Sequence, residues 1–173
     1  MSWTDQKGVV VLSNPTNEFT VLIDAPVHSV FEHCLDPHGI YVGDPMMKVA
    51  DATLTPDGVG TEARVEAKTP LFTETVAIEY TEVVPDERIV FTGDAVMVWF
   101  GLGRGISIAT HVLTWTFQPE DGGTRLNLAV VVQNPPMWQR VFDRLLDKSS
   151  QKMFNGRLTR IKAAAQEQAT TPS

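Results

Sequence analysis

The sequence predicts an α+β domain in which a curved, seven-stranded antiparallel sheet wraps around a long C-terminal helix. Three observations predict it. Seven segments between Glu18 and Val132 are β-branched or alternate apolar with polar residues, as half-buried strands do. Short turns join most of them, and parallel pairing needs crossovers of about a dozen residues, so the strands are antiparallel. One helical pattern of about thirty residues closes the chain, long enough at ~1.5 Å per residue to lie across the whole sheet.

The first strand runs from Glu18 to Asp24, with Phe19, Val21 and Ile23 on one face. A helix follows over Pro26 to Leu35. Proline suits a first helical position, Asp24 is placed to serve the free amides, and Val27, Val30, Phe31 and Cys34 form an apolar side. Asp36-Pro37-His38-Gly39 ends it, and a loop or one further turn leads to Pro45. One or two short helices therefore stand between the first and second strands.

A meander occupies the middle of the chain. Val49 to Thr55 turns at Pro56-Asp57-Gly58 into Thr61 to Lys68, where Ala63, Val65 and Ala67 alternate with Glu62, Arg64, Glu66 and Lys68. Phe72 to Val84 carries Val76, Ile78 and Tyr80 on one side. After Pro85-Asp86-Glu87, a strand from Arg88 to about Phe100 carries Phe91 and Trp99. Glycines at 101, 103 and 105 break the pattern before Ile106 to Phe117. A hairpin turn at Glu120-Asp121-Gly122-Gly123 then gives Thr124 to Val132. Pro135-Pro136 precedes the terminal helix, whose spacing through Trp138, Val141, Phe142, Leu145, Ser149, Met153, Gly156 and Ile161 holds to about Gln166. With no internal repeat or low-complexity linker, residues 1–173 read as one domain with its core over about 18–166.

Composition narrows the partners. The chain has 173 residues, 43% hydrophobic and 20% charged, which supports a core and argues against disorder. A net charge of −7 speaks against nucleic acid and against anionic membrane surfaces. Lys148, Lys152, Arg157, Arg160 and Lys162 make the one basic stripe, which reads as a solvated helix face. No segment approaches the ~20 apolar residues of a membrane span, and the N-terminus lacks the pattern of a signal peptide. The expected location is the cytoplasm, without stable membrane insertion. Cys34 is the single cysteine, so neither an intrachain disulfide nor a cysteine-based zinc site can form.

A twisted sheet cannot close on one rod along its full length, and an apolar concavity between them is the usual form of a small-molecule site. The strand residues expected to line it are Val76, Ile78, Tyr80, Phe91, Trp99, His111 and Leu113. Met137, Val141, Leu145, Ser149 and Met153 are expected from the helix. Tyr41 and Met46, with Met47, lie in the loop after the first helix, where adaptable methionines can lid a hollow or simply fill core. Gly156 continues the small side of the helix, and close packing on the sheet explains it equally well.

Glu74, Tyr80 and His111 are the candidate acid/base residues. If their strand faces are concave, burial raises the Glu pKa and lowers the His pKa, which poises both for proton transfer. The other reading gives Glu74 an exposed strand end, Tyr80 a hydroxyl at the rim and His111 a core hydrogen bond. Hairpin counting sets Glu74 several residues from the level of His111, so no hydrogen-bonded pair is expected. Arg104 is a solvated turn arginine or a partner for an anionic head group; its glycines do not match a dinucleotide fingerprint.

The order of elements resembles the START-like, or SRPBCC, superfamily, which includes Bet v 1 and the polyketide cyclase/dehydrase and lipid-transport families. The resemblance is carried by Ile23-Asp24-Ala25-Pro26-Val27-His28-Ser29-Val30-Phe31, Asp36-Pro37, Gly58-Val59-Gly60-Thr61 and Glu82-Val83-Val84-Pro85-Asp86-Glu87-Arg88. Thr114-Trp115-Thr116-Phe117-Gln118-Pro119, Gly122-Gly123-Thr124 and the terminal helix complete it. It implies a helix-grip fold and the binding or transport of a hydrophobic small molecule, such as a lipid, isoprenoid or polyketide-like compound. The alternative it implies is a cofactor-free cyclase or dehydratase working in the same cavity. Oxygenase relatives need an iron site of two His and one Asp; His28, His33, His38 and His111 offer no such set, so no metal and no cofactor are expected.

Overall fold

The computed structural model of the chain describes residues 17–69, 72–99, 105–133 and 137–170; the side chains of 99, 106–109, 137–147, 149 and 150 lie outside that description. The elements are β1 (Asn17–Ile23), α1 (Val27–Leu35), α2 (Pro37–Ile40), β2 (Met47–Thr53), β3 (Glu62–Lys68) and β4 (Phe72–Val84), then β5 (Arg88–Trp99), β6 (Gly105–Glu120), β7 (Gly123–Gln133) and α3 (Met137–Thr170). All seven strands join one antiparallel sheet in the order β1-β7-β6-β5-β4-β3-β2. The meander β2 to β7 pairs neighbour with neighbour, and β1 crosses over to the free side of β7. Bulges at Val49/Asp51, Tyr80/Glu82 and Asp94/Val96 interrupt the ladders, and such insertions bend a strand and increase its twist. The fold expected from the sequence is the fold found.

Local details differ from expectation. Pro26 occupies the cap position of α1, and no side chain caps it, so Asp24 does not serve the helix amides. The turn after α1 is a separate short helix, whose start is held by Asp36: its Oδ1 accepts the His38 amide at 2.8 Å. Gly39 in that turn is sterically fixed, since a Cβ there would lie 1.8 Å from the His33 carbonyl oxygen.

Strand phase decides the interior. Ile78 and Tyr80, Ile89 and Phe91, Leu113, Trp115 and Phe117, Leu126, Leu128 and Val130 are all buried, each pair two residues apart, as one face of a pleated strand requires. They meet α1 and the C-terminal half of α3. Phe31 packs edge-on to Phe117 with centroids 5.4 Å apart, and Phe154 of α3 meets Phe19 of β1 at 5.1 Å. The buried stripe of α3 is Phe154, Leu158, Ile161 and Ala165. Among the described contacts, α3 rests on β1, α1 and α2. Thr124 ties the crossover down, its hydroxyl donating to the Ala25 carbonyl at 2.7 Å.

Leu158 is 2% exposed and fills the junction of α3 with the sheet. Leu158→Ala is expected to cost roughly 2–5 kcal/mol in chemical denaturation, the range for emptying a packed leucine site. A loss below 1 kcal/mol would mean that α3 does not seal this end.

Candidate ligand site

The register aligns the concave face in rows. One row is Ala63, Ile78, Gly93, His111 and Val132; the next, toward the turn between β4 and β5, is Tyr80, Phe91, Leu113 and Val130. In the other direction Met47, Ala67, Glu74 and Met97 lie side by side. The two ends of this face are unlike. Ile78, Tyr80, Phe91, Leu113 and Trp115 are buried, whereas Glu74, Val76, Met97, His111 and Val132 point the same way and remain only half-buried. Small residues accompany them at Ala67, Gly93 and Ala95. Gly93 lets a neighbour lie close, since a Cβ there would stand 3.2 Å from Val76 Cγ1.

The three candidate acid/base residues fare differently. Tyr80 is 1% exposed, stacks on Phe91 at 5.4 Å and donates its hydroxyl to the Cys34 carbonyl at 3.3 Å. That bond joins β4 to α1, so the hydroxyl ends in the core and not at a rim, and burial pushes its pKa well up. Glu74 and His111 both stand on the concave face. Glu74 pairs with Met97, while His111 pairs with Gly93 and, through it, aligns with Ile78. Four residues of strand separate those levels, about 13 Å at ~3.3 Å per residue, too far for a hydrogen bond. Burial raises the Glu74 pKa, because the charged carboxylate loses its water.

Other expected lining residues scatter. Tyr41 is buried, Met46 is 55% exposed and Met153 is 37% exposed. Among the described residues, the buried stripe of α3 runs through Phe154, Arg157, Leu158 and Ile161. The side chains of Trp99, Met137, Val141, Leu145 and Ser149, and all of Arg104, lie outside the described residues. Cys34 is fully buried, and burial raises its pKa, which keeps it a protonated core residue.

A polar cluster escaped the sequence reading. Arg157 and Arg160, expected on a solvated stripe, turn inward onto Asp44, whose side chain is 3% exposed. Asp44 Oδ1 accepts the Met46 and Met47 amides at 3.0 Å each, and Oδ2 takes Arg160 Nη2 at 2.9 Å and Arg157 Nη2 at 3.5 Å. Burial alone pushes the Asp44 pKa up, but the two amides and two guanidiniums outweigh it and hold the carboxyl below its usual range. Gly156 serves this cluster: a Cβ there would lie 3.2 Å from Arg160 Nη1, so its bareness makes room for the arginine one turn later. One signal was available. Arg157 sits at helical spacing between Phe154 and Ile161, inside the apolar stripe.

Two hollows bounded by described residues lie elsewhere. One of about 350 Å³ is on the outer face of β2 to β5, around Asp51, Arg64, Glu79 and Asp94. The other, about 600 Å³, is on the helical surface beside His28, His33, His38 and Gln168.

Residues 16–166 match the family model described as polyketide cyclase / dehydrase and lipid transport. No curated protein matches. Among solved structures, the fold resembles protein CV1439 from Chromobacterium violaceum at 18% identity, with a TM-score of 0.61 over 87% of this chain and 96% of that one. Ara h 8.0201 aligns at 15% identity and a TM-score of 0.56 over 86% and 95%. DynU16, from the dynemicin biosynthetic locus, aligns at 22% identity and a TM-score of 0.50 over 83% of this chain and 45% of that one. At these identities the likeness is one of fold.

Removing the Asp44 charge leaves two guanidiniums on a neutral amide, and Asp44→Asn is expected to cost roughly 3 kcal/mol or more. Because the folded pKa of Asp44 is depressed, its stabilisation is complete above the ordinary value of 3.8 and is lost as pH falls through the folded one. That acid limb should flatten in the variant when melting is followed across pH. For Tyr80→Phe, the expectation is a loss of about 1 kcal/mol with ligand affinity unchanged; a tenfold weaker ligand would return Tyr80 to the site.

Proposed function

The chain belongs to the polyketide cyclase / dehydrase and lipid transport family, within the START-like superfamily, and on that premise we propose that it binds or carries a hydrophobic small molecule. The bound compound, a lipid, isoprenoid or polyketide-like molecule, lies between the concave face and the first half of α3. One observation carries this reading: Glu74, Val76, Met97 and His111 face inward yet keep accessible surface, while the inward residues at the other end are sealed. Inward surface that stays uncovered leaves space for a ligand, and small neighbours at Ala67, Gly93 and Ala95 widen it. No helix among the described residues is long and apolar enough to cross a membrane, which suits a carrier that meets its ligand in water or at a surface.

A second reading is a cofactor-free cyclase or dehydratase in the same space, favoured by the raised pKa of Glu74. Burial that raises a carboxyl's pKa moves it toward the range in which it can both give and take a proton, as general acid/base work requires. His111 is the second group, acting on a different atom of the substrate because the two stand far apart. In this reading Tyr80 orients α1 and takes no proton.

Native mass spectrometry of gently purified protein should show an apolar adduct, absent after organic extraction. Filling the wall with Val76→Trp should weaken Nile red binding at least tenfold while the melting temperature stays within a few degrees. A wild-type protein with no adduct and no Nile red binding would remove the carrier reading. Glu74→Gln separates the two readings: it leaves Nile red affinity unchanged in a carrier and abolishes turnover of a polyketide-like substrate in an enzyme. Since the folded pKa of Glu74 is raised, its charge costs stability above the ordinary value of 4.5, so the same variant should be no less stable at pH 8.

A further inference from the structure

Arg157 is buried with too few partners. Its side chain is 3% exposed, and its guanidinium carbon lies 4.3 Å from the centre of the Tyr41 ring and 5.6 Å from that of Phe154. Its charge partner, Asp44, is at 3.5 Å and already engaged by Arg160 at 2.9 Å and by the amides of Met46 and Met47. Two guanidiniums thus share one carboxylate. Nε of Arg157 has no hydrogen-bond partner, and Nη2 reaches the thioether of Met47 at 3.3 Å. A guanidinium presents five donors in a planar fork, and a thioether is a weak acceptor. Burial of a charge in this state is unfavourable unless further acceptors arrive.

The fork sits at one end of the proposed ligand space. Met47 pairs with Ala67, and Ala67 with Glu74, so the residue that covers Arg157 belongs to the same row as the half-buried Glu74. Adjacent strands are ~4.8 Å apart, which puts about 10 Å between the Met47 and Glu74 backbones, floored by the single methyl of Ala67. Among the described residues no ion pair joins Arg157 to Glu74. Burial raises the Tyr41 pKa, and the charges of Arg157, Asp44 and Glu74 also act on its phenol, so all three lie in its neighbourhood.

We propose that Arg157 is the head-group site of this space: its guanidinium binds an oxyanion, a carboxylate or phosphate, borne by an apolar ligand whose tail runs along Val76 and Met97. Met47, with three rotatable bonds and a half-buried position, swings aside to admit it, and the oxyanion replaces the sulfur as acceptor. Arg is suited to this because its planar fork takes an oxyanion through two parallel bonds. Asp44 and Arg160 position the fork and do not touch the ligand. This inference rests on the carrier reading above.

The test is displacement of Nile red, a neutral probe, by dodecanoic acid, dodecyl phosphate and 1-dodecanol at pH 8 and below their micelle concentrations. The expected result is that one or both acids displace the probe at concentrations at least tenfold lower than the alcohol. Which acid is preferred separates a carboxylate head from a phosphate head. Arg157→Met should erase the preference, and Arg157→Lys should restore part of it. Equal displacement by acids and alcohol in the wild type overturns the head-group role while the carrier reading stands, and it needs no variant to fold. Failure of the wild type to bind Nile red or any of the three compounds overturns both.

Discussion

The structure depends on a mismatch of areas. A seven-stranded sheet with one apolar face must hide that face from water, since each Å² of apolar surface left exposed costs on the order of 25 cal/mol. One long helix and two short ones are the cover available among the described residues. Where α1, α2 and the C-terminal half of α3 meet the sheet, large side chains fill the space: Trp115, Phe117, Phe31 and Phe154 are buried, with Phe31 packed on Phe117 and Phe154 on Phe19. Beyond Ile78 the same face continues with small or half-buried residues. Among the described residues, one end of the face is thus fully covered and the other is not.

The strands were legible in the sequence and the long helix was only half so. Period-two alternation placed Glu74, Val76, Ile78 and Tyr80 on one face, and His111, Leu113, Trp115 and Phe117 on another, and the register brings both onto the concave side. Counting along the hairpins also foretold that Glu74 and His111 do not pair. The buried stripe of α3 was harder to read because a charge interrupts it. Arg157 looks like a surface residue until the long-range partner Asp44 is known. That partner lies 113 residues away, in a loop after α2, and no local pattern announces it.

Tyr80 shows the same limit from the other side. A tyrosine on a concave strand invites a catalytic role, and only the tertiary structure reveals that its hydroxyl is committed to the Cys34 carbonyl. Glu74, by contrast, has a proton affinity raised by burial alone. Of two polar residues on one strand face, one holds α1 to the sheet and the other stays half-buried on the concave face. The hydrogen bond is what tells them apart.

The sheet does not close into a barrel, and this has a consequence for solubility. Strands β1 and β2 are its two borders, and a border offers unpaired amides and carbonyls to any passing strand. β1 is backed by α3. β2 is protected differently: a bulge between Val49 and Asp51 breaks its ladder in mid-course, and Lys48 and Asp51 stand exposed beside the break. An incoming chain would meet a kinked template and ionised side chains, so the irregularity guards the molecule against polymerising through its own margin.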